Sequence, residues 1–205
     1  TFSPLIFNDV GIYNREQMIQ NGFDSFLFRP NQTVSKKLSK RFFIERGDPK
    51  VHWNAGINVI PVKIAIEKNI KLIFYAEDGE SEYGGKIISE EQIKVRGYTE
   101  IIEQKIGDDP KNWITDDITL KDLTPYIYPD PDIIEKINIK VLHFSYFFKW
   151  DIYKNYKFIK DKIDFKTEPN KRTIGTFTDF DSLDDKIDDL YYYMQFIKFG
   201  FGRCI

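Results

Sequence analysis

One cysteine, Cys204, is all the thiol chemistry in 205 residues. A disulfide framework within the chain is therefore excluded, and one thiol cannot build a cysteine-rich zinc or iron–sulfur site. A reducing cytoplasm is the expected compartment. Long apolar runs are missing too: the longest are a handful of residues, against the roughly 20 that cross a bilayer, so no membrane insertion is expected. Net charge is nearly nil, −2 from 30 basic and 32 acidic residues. That balance argues against nucleic acid as a partner held through its phosphates. The two histidines, His52 and His143, stand without partners at metal-ligand spacing, and ordinary packing is expected of both. No Cys–His arrangement is readable around Cys204, so a semi-buried thiol is the plain reading there rather than a nucleophile. No repeat or low-complexity tract occurs, and 12 Gly with 9 Pro exclude collagen-like structure.

What is present is the balance of an ordinary globular protein, with 41% hydrophobic and 30% charged residues. The length fits one large domain, or one domain with an elaborate insertion. Charge is unevenly spread, +4 over residues 1–70 and −6 over residues 71–205. An acidic second half suits either a divalent metal or a solvated acidic surface. The 33 aromatics exceed what packing usually requires. Aromatics make sugar- and base-stacking platforms as well as cores and partner surfaces.

Apolar runs bounded by turn residues predict strands near Phe2–Phe7, Ser25–Arg29, Lys71–Ala76 and Val141–Phe147, the third apolar on both faces as buried parallel strands are. Helices are expected over Gly11–Gln20 and through Val34, Leu38 and Phe42 to a stop at Gly47 and Pro49. A third is expected from an N-cap at Asn58 to about Lys68, because Pro61 is tolerated in a first turn. The last runs through Leu183, Ile187, Leu190, Met194, Ile197 and Phe201, with Ser182 and Asp185 as a capping-box-like pair. Asp181, Asp184, Asp185, Asp188 and Asp189 crowd its start, where most are expected to be solvated dipole partners, and Asp181 or Asp184 to face a site. Residues 79–140, rich in Gly and Pro, read as an insertion or lid. The order of strands and helices is that of a doubly wound α/β sheet, in which ligands sit beyond the carboxyl ends of the strands. The first residues read as a buried strand without a lead-in, and the last stop just after a helix, so a piece of a longer protein is expected.

The loop after the third strand holds Glu77, Asp78, Glu80 and Glu82 beside Gly79, Gly84 and Gly85. Hard oxygen ligands there suit Mg²⁺ on nucleotide phosphates, and a surface turn suits them equally. Arg172, Lys198 and Arg203 read either as cations for phosphate, sugar-nucleotide or carboxylate or, for Lys198 and Arg203, as partners of a helix end. Lys149 and Trp150 beside Tyr146, Phe147 and Phe148 offer a sugar-stacking face, with a packed strand end as the plainer reading.

Five segments carry a resemblance: AGINVIPVKIAIEKNIKLIFYAEDGESEYGG (55–85), IGDDPKNW (106–113), KDLTPYIYPD (121–130), HFSYFFKWD (143–151) and GTFTDFDSLDDKIDDLYYYMQFIKFGFGRC (175–204). Together they resemble the N-acetyl sugar amidotransferase family, PP-loop ATP pyrophosphatase-type enzymes of lipopolysaccharide, O-antigen and nonulosonic-acid biosynthesis. The resemblance implies a Rossmann-like doubly wound parallel sheet in a single domain over residues 1–205, incomplete at its N-terminus. It implies ATP and Mg²⁺, an acetamido sugar that is nucleotide-linked or acidic, and ammonia from a glutaminase and its ammonia-channel partner. The acetamido oxygen would be adenylylated with release of pyrophosphate, and ammonia would displace AMP to leave an acetamidino group. The same loop resembles the metal-holding turn of NAD synthetases, in which a final Glu binds Mg²⁺; Ser81 and Glu82 match that ending, so Glu82 is the implied ligand. The nucleotide contacts expected are Glu77, Asp78, Gly79, Glu80, Gly84 and Gly85, and the sugar or phosphate contacts expected are Lys149, Trp150, Arg172, Lys198 and Arg203; no catalytic residue is named. Two features of the family are absent from these residues: the phosphate-binding Ser-Gly-Gly-x-Asp-Ser loop and a cysteine-rich segment. Without the first, poor ATP binding and little catalysis are expected of these residues alone. Ala76-Glu-Asp-Gly-Glu80 also departs from the family's Gly-Glu-Asn-Gly-Glu. A non-catalytic carbohydrate-binding or partner-docking protein of the same fold is the alternative.

Overall fold

The computed structural model describes residues 1–76, 106–168, 178–180 and 182–200. Expectations for residues 77–85, Arg172, Asp181, Arg203 and Cys204 lie outside them. The described residues form a mixed α/β structure of seven α-helices and a two-stranded parallel sheet. The chain divides into two compact units, one of Thr1–Phe2, Pro30–Leu38 and Val51–Trp150, the other of Ser3–Arg29, Ser39–Lys50 and Asp151–Ile205.

Helix α2, Gln32–Arg46, begins where the Asn31 side chain accepts from Thr33 N–H at 3.0 Å and stops at Gly47, whose φ is +62°. Val34, Leu38 and Phe42, spaced by four, are all buried, as expected. Helix α3, Val51–Lys68, starts earlier than the sequence suggested. Asn58 is not its cap: it lies in the buried interior of α3, and its side-chain amide donates to the Asn54 carbonyl at 2.6 Å. Pro61 consequently sits mid-helix. Burial of Val51, Ala55, Val59 and Val62, roughly 1.5–3 kcal/mol for a large apolar side chain, outweighs the hydrogen bond a proline removes.

Two junctions share one construction. Helix α3 ends at Asn69 (φ +56°) and leads through Ile70-Lys71 into β1, Leu72–Tyr75. Helices α4, Leu120–Leu123, and α5, Pro131–Ile137, follow; α5 ends at Asn138 (φ +59°) and leads through Ile139-Lys140 into β2, Lys140–His143. Asparagine tolerates the left-handed conformation that reverses the chain there. In both, the isoleucine N–H closes back onto the helix, Ile70 on the Ala65 carbonyl at 2.8 Å and Ile139 on that of Ile134 at 3.1 Å. Lys71 also donates to the last carbonyl of α5, that of Ile137, at 2.7 Å. The strands therefore leave their helices alike and pair in parallel, Leu72 with Lys140 through Tyr75 with His143.

The expected strand at Lys71–Ala76 is thus present, but it is not buried on both faces: Leu72 and Phe74 are exposed. Only its Ile73 and Tyr75 side is half-buried. The strand expected over Val141–Phe147 ends at His143, where a 3₁₀ turn, Phe144–Tyr146, begins. From the segment read as an insertion or lid, residues 106–140 supply Trp113, Leu123 and Tyr126 to the first unit's core. Tyr126 packs within 6.2 Å of the Phe2 ring and 6.0 Å of Trp113, centroid to centroid. Gly56 lets Phe2 in, since a Cβ there would stand 2.4 Å from the ring.

The segments expected as strands near Phe2–Phe7 and Ser25–Arg29, which from Ser3 on belong to the second unit, are not continuous strands. Phe7 makes an isolated antiparallel bridge with Asp185, and Ser3 N–H donates to the Phe28 carbonyl at 2.9 Å. The Asp185 carboxylate accepts from Leu5 N–H at 2.7 Å and Ile6 N–H at 2.9 Å, so a buried side chain replaces strand partners. Helix α1, Asp9–Gln20, follows, capped by Asn8. Its Gly11 is required by proximity, since a Cβ would lie 2.4 Å from the Asp184 Cα. Helix α6, Ile152–Lys162, is capped by Asp151. The last helix, α7, is Asp188–Phe199, so it begins later than expected. Ser182, at φ +51°, and Asp185 do not form its cap. Nor are Asp185 and Asp188 solvated: both are buried.

Candidate functional site

The carboxyl ends of β1 and β2 lie side by side because the pairing is parallel and in register. From one end the chain passes through Ala76 to the acidic loop, and from the other into the aromatic turn 144–148. In that turn the Phe144 and Phe148 rings stack at 4.6 Å, and Phe74 of β1 meets Phe144 edge-on at 6.0 Å and Phe147 at 5.8 Å. Tyr146 meets Phe147 at 5.3 Å. Aromatic residues this close usually mark a core, yet Phe147 and Phe148 are 50% and 60% exposed. The rings thus pack on one another at the strand ends while Phe147 and Phe148 keep much of their surface open. Lys149 next in the chain is exposed, and the half-buried Trp150 buries an indole N–H that meets no acceptor among the described residues.

Lys198, grouped with the cations by sequence, belongs to the second unit, where its ammonium donates to the Arg46 carbonyl at 3.0 Å. It thus satisfies the exposed end of α2. Among the described residues no cluster of three or more His, Cys, Asp and Glu side chains is placed to hold a metal, and no helix is long and apolar enough to cross a membrane.

Three polar arrangements were not read from the sequence. His52 is fully buried in the first unit, its Nε2 2.9 Å from Ser35 Oγ and its ring edge-on to Tyr126 at 5.8 Å. Burial pushes its pKa down to about 3. The spacing of Ser35 from the apolar Val34 and Leu38 was the available signal. Lys50 pairs with Asp188 in the second unit, both largely buried, with the ammonium 5.7 Å from the Tyr191 ring centroid. Burial pushes Asp188 up to about 6, against the pull of Lys50. The third is a hydrogen bond from Tyr75 to α3, whose signal was Pro61 itself. Burial also raises the pKa of the Tyr126 hydroxyl.

No protein-family model matches the chain, and no curated protein matches it significantly.

Proposed function

We propose that the chain belongs to an ATP-dependent N-acetyl sugar amidotransferase with a Rossmann-like PP-loop-type sheet, acting on an acetamido sugar of a bacterial surface polysaccharide with ammonia from a partner glutaminase. The observation that carries the reading is the convergence of two family-like segments far apart in sequence: Phe74-Tyr-Ala-Glu-Asp78 and His143-Phe-Ser-Tyr-Phe147 leave the same end of one parallel sheet. Ligands of open α/β sheets bind at such ends.

On this reading the work divides between the strands. Carboxylate oxygens of Glu77, Asp78, Glu80 and above all Glu82 are chemically suited to Mg²⁺, which would draw charge from the phosphates of ATP. The aromatic turn presents ring faces to the C–H face of a sugar, with Lys149 beside it for an anionic group and the Trp150 N–H for an oxygen acceptor. Apolar rings around the acetamido group would keep water from an activated intermediate. Arg172 and Arg203 are assigned to the phosphates by their charge alone, and Lys198, bonded to a helix end, is the weaker candidate.

A second reading, a carbohydrate-binding protein without ATP chemistry, draws on the exposed rings of Phe147 and Phe148 alone. The two separate in one assay: the intact protein, given MgATP, ammonium chloride and a nucleotide-linked N-acetyl sugar, is followed for pyrophosphate release. Sugar-dependent release supports the amidotransferase; sugar binding without release supports the second reading.

A further inference from the structure

Pro61 in the middle of α3 has no N–H, so the Ile57 carbonyl four residues earlier loses the donor that an ordinary residue would supply. The Tyr75 hydroxyl stands 3.1 Å from that oxygen and 3.4 Å from the neighbouring carbonyl of Asn58. Tyr75 is the last residue of β1, paired with His143 at the end of β2. We propose that Tyr75 is a positioning residue: its O–H takes the place of the N–H that Pro61 lacks and fixes the carboxyl end of β1 to α3 where the chain leaves for the acidic loop.

The arrangement makes sense as an exchange. An ordinary residue at 61 would spend its N–H inside the helix and connect α3 to nothing else. Proline frees that acceptor for a donor from outside, and the bond becomes a tie between helix and strand. The alternation of β1 puts Ile73 on the same side as Tyr75, but Ile73 has no side-chain donor, and phenylalanine at 75 would leave the carbonyl unsatisfied. For its effect on turnover the proposal rests on the amidotransferase reading; the tie itself does not.

The test uses the intact protein with Tyr75→Phe, Pro61→Ala and both together. Tyr75→Phe should lower the folding equilibrium constant roughly fivefold, the scale of one net hydrogen bond. With an N–H restored by Pro61→Ala, the same substitution should cost less than about twofold, read by urea unfolding. Equal costs in both backgrounds would overturn the assignment of the hydrogen bond. Positioning is read separately, by hydrogen exchange of the β1 amides and by the KM for MgATP. The double variant should regain stability yet keep faster exchange in β1 and a KM raised about tenfold, because its new bond lies within the helix. Return of exchange to the wild-type rate along with stability would show that Tyr75 only stabilises and would overturn its positioning role. Absence of pyrophosphate release from the wild type would instead sink the amidotransferase reading, and the exchange comparison would still decide for or against the tie.

Discussion

His52 is neutral in the folded protein because its buried site offers Ser35 and aromatic edges but no anion. With a folded pKa of about 3 and an unfolded value of about 6.5, only the unfolded chain takes up the proton between those limits. Stability therefore falls as pH drops below about 6.5, by about 1.4 kcal/mol per unit, or about 2.7 kcal/mol at about pH 4.5. Urea unfolding near pH 7 and near pH 4.5 should show His52→Gln losing less on acidification than the wild type, by about that amount. Asp188, raised to about 6, acts with the opposite sign, its ionisation disfavouring the fold as pH rises; being common to both proteins, it cancels in the comparison. An equal acid loss in both would mean that His52 is protonated in place. At the aromatic turn, Phe148 is largely exposed and stacked on Phe144. Phe148→Ala should weaken binding of an N-acetyl sugar nucleotide about tenfold, read by calorimetry, while changing stability by less than about 1 kcal/mol. Unchanged affinity would remove the ring from the sugar site.

Among the elements, those set by local chemistry were the legible ones. Helix α2 announced itself by Val34, Leu38 and Phe42 and its glycine stop, and β1 by an apolar run. Asn58 and Pro61 misled, because a cap residue before a proline is a good local argument for a helix start and the burial that extends α3 to Val51 is a tertiary fact. Phe2–Phe7 reads as a strand by composition, but its Leu5 and Ile6 N–H groups go to the Asp185 carboxylate, far along the chain. A long separation in sequence also hid the buried pair between Lys50 and the first residue of α7. Lys50→Met should cost about 3–5 kcal/mol, because it leaves the Asp188 carboxyl buried without its partner. Replacing both, with Lys50→Met and Asp188→Leu, should recover most of that loss in urea unfolding. Additive costs would show that the two charges do not depend on each other.

For the whole molecule, the sequence motifs resemble a family and the parallel pairing brings two of them to one end of the sheet; the register that does so could not be read from either motif alone. The acidic loop then becomes the test of chemistry. Glu82→Gln keeps the size of the side chain and removes its charge, so turnover should fall by roughly two to three orders of magnitude, with folding almost unchanged. Glu77→Gln and Glu80→Gln, assayed beside it over a Mg²⁺ titration, tell whether another carboxylate holds the metal: near-normal turnover in Glu82→Gln with loss in one of these would move the ligand along the loop. Near-normal turnover in all three would leave the loop as surface. The central claim is met most directly by pyrophosphate release from the intact protein with MgATP and ammonium chloride, with and without a nucleotide-linked N-acetyl sugar. Release that depends on the sugar and yields an acetamidino product by mass spectrometry is the expected result; tight sugar binding with no release of pyrophosphate would contradict it.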